Sequence, residues 1–246
     1  KSGKTEEEAH GFTVELIGVE NETLLDAKKI KKYLSFIAPV RYIDNFSKLS
    51  PLIYEHAKNL GYRLDEYDIT VNDEQIVKNY FVEFYIGKNR DEIFDLSFFD
   101  FYADRKLVYW MWYGLSGFKG QLKSADKFPM RCIRLRKANI QIGEENALPI
   151  ELFKEVRVPY YLVGEIFAVH KDLIPNSQRD YFVEKKIRGD FEESLKCQFD
   201  NIWKIIHIAS DINAGKKDIK KYANALEQFE YARQTQSSAK LANLKF

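Results

Sequence analysis

LIPNSQRDYF, residues Leu173–Phe182, follows an apolar run, YYLVGEIFAV, residues Tyr160–Val169. The apolar run is rich in aromatic and β-branched residues and predicts a strand. Pro175, Asn176 and Ser177 predict a turn after it. A strongly helical pattern follows, which puts Arg179 about where a helix begins. An Arg there stands on rigid elements at an open end, a placement suited to gripping an anion. By spacing alone, a solvated turn residue is the simpler reading, because charged residues are mostly exposed.

Outward from this stretch, the helical pattern continues through Phe191, Leu195, Phe199, Ile202, Ile206 and Ala209. Gly215 predicts a break, and Ile219, Tyr222, Ala223, Leu226 and Phe229 predict one more helix. Cys197, among apolar residues, reads as core. Upstream, Pro149–Lys154 reads as a short helix and Arg131–Ile142 (RCIRLRKANIQI) as a strand. Its Arg134 and Arg136 share one face; the pair could meet phosphate or a carboxylate, but a solvated face is the default reading in an antiparallel sheet. The loop GLSGFKGQL carries Gly114, Gly117 and Gly120 at GxxGxxG spacing, which is a bend and not a phosphate-binding fingerprint.

The first half alternates between helix and strand signals. Phe12, Val14 and Leu16 suggest a strand. Thr23, with Asp26 three residues on, reads as an N-cap for an amphipathic helix over 24–37, whose outer face carries Lys28, Lys29, Lys31 and Lys32. Ser50–Pro51 opens a second helix and Gly61 closes it. Period-two patterning then predicts strands at Tyr67–Val71, Ile76–Ile86, Ile93–Phe101 and Leu107–Leu115. The short link Ala103–Arg105 makes the last two a hairpin. LVYWMWYGL must bury at least one face; a base-stacking platform is its alternative.

The 246 residues carry 38 basic and 37 acidic side chains, a net charge of +1 that excludes a strongly basic nucleic-acid binder by bulk charge. Cys132 and Cys197 show no CxxC spacing, so neither a disulfide framework nor a zinc site is expected, and a reducing, cytoplasmic setting fits. No signal-peptide pattern or run of apolar residues long enough for a membrane span occurs. The chain opens on Lys1 and not Met, as a piece of a longer protein would. His10, His56, His170 and His207 show no metal-ligand spacing, and no GxSxG, Walker A or kinase motif is present. By its own motifs the chain is not a self-sufficient enzyme.

Four blocks, in order, resemble the middle domain of the ninety-kilodalton heat-shock chaperones and their relatives among the GHKL ATPases. HGFTVEL (His10–Leu16) is similar to the final strand of the chaperone ATPase domain. LLDAKKIKKYLSFIAPV (Leu24–Val40) is similar to the first middle-domain helix. IRLRKANIQIGEENALPIELF (Ile133–Phe153) looks like the strand, turn and "LIPEWL" segment, and LIPNSQRDYF looks like the "LPLNxSRE" loop. A prokaryotic branch is closer still. Its WGWY, GNIQIGD, VGEIHV and LIPNxRRDxF patterns appear here as YWMWYG, ANIQIGE, VGEIFAV and LIPNSQRDYF, with Asn176 and Arg179 in register. Val183 stands where the chaperones have Gln.

The resemblance implies an α+β fold of the transducer type found in ribosomal protein S-five domain 2. That fold has a left-handed β-α-β arrangement, a mixed, mostly antiparallel sheet with helices on one face, and a helical C-terminal appendage. Residues 1–20 would be a linker and last strand of a preceding ATPase domain, 21–186 the middle domain and 187–246 the appendage. Arg179 would reach the γ-phosphate of ATP, bound with Mg2+ mainly by a GHKL domain outside this chain. Asn176 would shape the loop, and Gln178 would lie with them at the nucleotide. A protein client and a homodimeric full-length protein are implied. Two other classes stay open. MutL, gyrase and MORC proteins use similar transducers to clamp DNA, in which case Lys28–Lys32 or Arg134–Lys137 would face nucleic acid. The other is a non-catalytic protein-interaction module.

Overall fold

A computed structural model describes residue 15 and residues 17 to 242. The strand read from Phe12, Val14 and Leu16 lies outside the described residues. In chain order, helices α1 (Glu22–Leu25), α2 (Ala27–Ile37) and α3 (Ser50–Asn59) come first. Two small hairpins follow, β1 (Thr70–Val71) with β2 (Glu74–Gln75) and β3 (Glu83–Ile86) with β4 (Asn89–Glu92). Then β5 (Asp95–Ala103), β6 (Lys106–Leu115), β7 (Cys132–Lys137), β8 (Ile140–Gln141) and β9 (Val163–Ala168) form one sheet, and α4 (Lys186–Ala242) comes last.

The sheet order is β5-β6-β9-β7-β8, antiparallel throughout except where β7 and β9 run parallel. The protein is therefore α+β with a mixed, mostly antiparallel sheet. The expected β5–β6 hairpin is present. Its turn residues Asp104 and Arg105 sit at φ 47° and 62°, the paired left-handed geometry that matches strand twist. The parallel crossover from β7 to β9 uses two 3-10 turns, Ile150–Leu152 and Val158–Tyr161.

The aromatic strand β6 organises both sides of the sheet. Tyr109, Met111 and Tyr113 point to one face, where they pack with Phe191, Leu195, Phe199 and Ile202 of α4. Trp110 and Trp112 point to the other, where they meet Ile53 and Ala57 of α3 and Phe36 of α2. Helices thus cover both faces and not one, because an inner strand apolar on both sides must be buried on both. The two Trp rings are 0% exposed, so this strand is no platform for bases.

Several local expectations change. Arg131–Ile142 is not one strand. It turns back at Ala138 (φ 49°) and Asn139 (φ 58°) to pair β7 with β8. Helix α2 is capped by Asp26 and not by Thr23; the Asp26 carboxylate accepts from the Lys28 and Lys29 amides at 2.9 and 3.3 Å. Ser50 lies inside α3 and supplies no cap; Leu49 occupies that position. Of Ile76–Ile86 only Glu83–Ile86 pairs as a strand, while Lys78 and Tyr80 upstream turn fully inward. Gly215 does not end α4, which runs 57 residues through it. One glycine costs about 1 kcal/mol against Ala, too little to break a helix held on its N-terminal side by a packed core. Cys197 is exposed and Cys132 is the buried thiol; burial pushes Cys132 up to about 12.

Lys78 and Tyr80 turn inward to meet Glu165 of β9. Its carboxylate is 0% exposed and accepts from Arg136 Nε at 2.5 Å, Tyr80 at 3.0 Å, Lys78 Nζ at 3.3 Å and the Tyr42 hydroxyl. Arg136 also donates to the carbonyls of Phe36 and Asn139, at 2.7 and 2.9 Å. A buried charge is tolerated only when paired and hydrogen-bonded, so this cluster ties the N-terminal layer to the sheet at one register.

Burial is the largest influence on both Glu165 and Lys78. It would raise Glu165, but Arg136, Lys78 and the Tyr42 hydrogen bond outweigh it and hold the carboxyl at about 2, against an ordinary 4.5. It lowers Lys78 from 10.5 to about 7; Arg136 adds to the effect and Glu165 offsets only part. In both windows the unfolded chain binds more protons than the folded one, so stability rises with pH there. Urea midpoints should fall on acidification from 4.5 towards 2 as Glu165 protonates, and rise from pH 7 towards 10.5 as buried Lys78 sheds its proton. Lys78→Met should flatten the upper slope and leave most of the lower one.

Candidate functional site

LIPNSQRDYF folds as a tight antiparallel loop. Pro175 bridges Phe182, the Asn176 amide donates to the Tyr181 carbonyl at 2.9 Å, and the Val183 amide to Ile174 at 2.9 Å. Leu173 and Phe182, 0% and 2% exposed, anchor its two ends in the core. Asn176 closes the tip. Its carbonyl accepts from the Arg179 amide at 3.0 Å, its Oδ1 from the Asp180 amide at 3.2 Å, and its Nδ2 donates to Asp180 Oδ1 at 2.5 Å. Because α4 starts at Lys186, Arg179 stands on this tip and not in the first turn of the helix. The local reason is the side chain of Asn176, which satisfies the turn and holds the chain out of helix.

Arg179 adopts φ 55°, a left-handed conformation uncommon outside Gly, Asn and Asp. Its carbonyl is gripped by the Gly143 amide at 2.7 Å. Its side chain is exposed, and among the described residues the guanidinium has no hydrogen bond or ion pair. An always-charged, forked donor is thus held out on a backbone that its surroundings over-determine.

The guanidinium borders a cleft of about 880 Å³ between α2, the β7–β8 turn and this loop. Lys29, Lys32, Tyr33 and Phe36 come from α2, Arg134 from β7, and Gln178 and Arg179 from the loop. Arg134 is 5% exposed, donates to Gln141 Oε1 at 2.8 Å and stacks 4.3 Å from the Phe36 ring. Its Nε is buried without a partner. Of the acids on the wall, Glu145 is taken by Arg131 and Asp180 by Asn176. The wall holds four cations, Lys29, Lys32, Arg134 and Arg179, and three carboxylates, Glu144, Glu145 and Asp180. Lys32 pairs with Asp126, Lys29 lies 3.9 Å from Asp26 and Arg134 3.8 Å from Glu145, so Arg179 is the cation there that keeps its donors for an outside anion.

Other candidate residues are accounted for within the fold. The Gly117 and Lys119 amides donate to the Asp91 carboxylate at 2.8 and 2.9 Å, so the glycine loop already holds its own acid. Arg136 is buried, Lys137 Nζ donates to the carbonyls of Val169 and His170 at 3.1 and 2.7 Å, and Lys31 and Lys32 each meet a carboxylate at 2.5 Å. Among the described residues no group of three His, Cys, Asp or Glu is placed to hold a metal ion, and no helix is long and apolar enough to cross a membrane. Sequence reading named Arg134 but took its face as solvated by default, whereas it is 5% exposed; it missed the role of Gly143, which was visible only as part of ANIQIGE. Comparison with protein-family models and with curated proteins gives no match.

Gly143 offers a way to move Arg179 without touching it. A Cβ there would lie 2.6 Å from the Asp180 carbonyl oxygen and 2.6 Å from the Ala147 Cβ, at φ 61°. Gly143→Ala should destabilise the protein by about 1–3 kcal/mol. It should also speed hydrogen exchange at the Arg179 and Val183 amides, leaving exchange in β6 unchanged.

Proposed function

We propose that this chain is the middle, transducer domain of a GHKL-type ATPase of the heat-shock chaperone class, with the S-five-like transducer fold. In this reading Arg179 completes an ATP site on a preceding domain. One observation carries it: the residue that the motif register picks out has a guanidinium with no partner among the described residues, held on a strained tip at the rim of an open cleft. ATP and its Mg2+ are bound mainly by the other domain and supply the phosphoanhydride to be cleaved. Of this chain's residues, Arg179 donates to the γ-phosphate oxygens, Gln178 lies beside it, and Asn176 with Gly143 holds the loop in shape. A planar bidentate donor suits a terminal phosphate and stabilises charge during its transfer.

Closure of the two domains brings Arg179 in, and opening after hydrolysis withdraws it, so the arrangement works as a two-state gate. Its output is remodelling of a protein client in the cytoplasm by a homodimeric full-length protein. The test is ATP turnover and ATP affinity, measured together, for full-length protein carrying Arg179→Ala.

A further inference from the structure

From Ala214 to Thr235 the residues of α4 are exposed. An apolar line nevertheless continues along the helix: Ile205, Ile208 and Ile212, then, past Gly215, Ile219, Tyr222, Leu226 and Phe229. These seven side chains are between 37% and 71% exposed. With Gly215 included, their spacing alternates three and four without a slip. That is a repeat of 3.5 residues, the period of a two-stranded coiled-coil seam, and not the broader stripe of a helix lying on a globular core. The seam points away from the body. Ile206, Ser210, Asn213 and Ala214, on another side of α4, line a cleft against it, and Asn213 Nδ2 donates to the Gly117 carbonyl at 2.7 Å.

The flanking charges say what covers the seam. With Ile205 and Ile212 as a positions and Ile208 and Tyr222 as d positions, Asp211 falls at g and Lys216 at the next e, five residues later. In a parallel, in-register pair the g side chain of one helix meets that e side chain of the other. Asp211 and Lys216 have opposite charge and, among the described residues, no partner within the chain. A two-fold pair would satisfy both twice over. An antiparallel pair would set like positions together, Asp211 near a g and Lys216 near an e. We propose that residues 205–229 of α4 form a parallel, two-stranded coiled coil with the same segment of a second copy of this chain. The inference does not depend on the ATP reading.

Sedimentation equilibrium and cysteine cross-linking test it on the whole chain. In a Cys197→Ser background, Ile208→Cys and Phe229→Cys should each cross-link to its own copy under mild oxidation. A protein carrying both should yield no bond between position 208 of one copy and 229 of the other. Ile212→Lys with Ile219→Lys should weaken the dimer at least about a hundredfold. Asp211→Lys and Lys216→Asp should each weaken it, and the double exchange should restore it. A chain that stays monomeric at its highest soluble concentration overturns the proposal. So do cross-links between 208 and 229, or a charge exchange that fails to rescue.

Discussion

Under the proposed function, Arg179→Ala should lower ATP turnover of the full-length protein by about three orders of magnitude, the lower range for loss of an arginine that stabilises phosphoryl transfer, while ATP affinity should change only a few-fold. The asymmetry follows from the placement of the residue. Its guanidinium has no partner among the described residues, so removing it breaks no contact in the fold and the unfolding midpoint should not move. Ala keeps the Cβ, so the left-handed backbone at φ 55° is no worse than before. Ground-state binding would rest mainly on the other domain, and the loss would fall on the transition state. Arg179→Lys should recover little, because an ammonium is a point charge without the planar fork. Equal loss of affinity and turnover, or unchanged turnover, would sink the proposed role.

Glu165→Gln should produce the largest loss of stability, about 3–5 kcal/mol, as expected when one partner of a buried ion pair is removed. The carboxylate accepts from four side chains, Arg136, Lys78, Tyr42 and Tyr80. An amide has one oxygen to offer them and turns two N–H donors towards groups that are themselves donors. Arg136, 0% exposed, would then be a buried cation with no counter-charge. Guanidinium-chloride midpoints measure the change. Arg136→Met combined with Glu165→Met should cost less than the sum of the single changes, because the charges leave together. Additive losses would mean that the pair is not coupled as its geometry implies.

Along the chain, the strands β5, β6 and β9, the β5–β6 hairpin and helices α2 and α3 were legible in the sequence. Each depends on local periodicity and turn chemistry, which a window of neighbouring residues contains. The motif register also picked out Asn176 and Arg179. What the sequence could not settle were questions answered by residues far apart in the chain. Arg136 reads as a solvated strand residue until Glu165, 29 residues on, and Phe36, 100 residues back, are seen around it. Lys78 and Tyr42 find the same carboxylate from 87 and 123 residues away. Gly215 reads as a helix end, although one glycine is too weak to end α4. Arg179 reads as the first turn of a helix until Asn176 and Gly143 are seen holding it on a loop tip. Local pattern determined which segments pair and coil. Only tertiary packing decided which charges are buried and paired and that Arg179 is left without a partner among the described residues, because burial and partnership belong to distance in space and not along the chain.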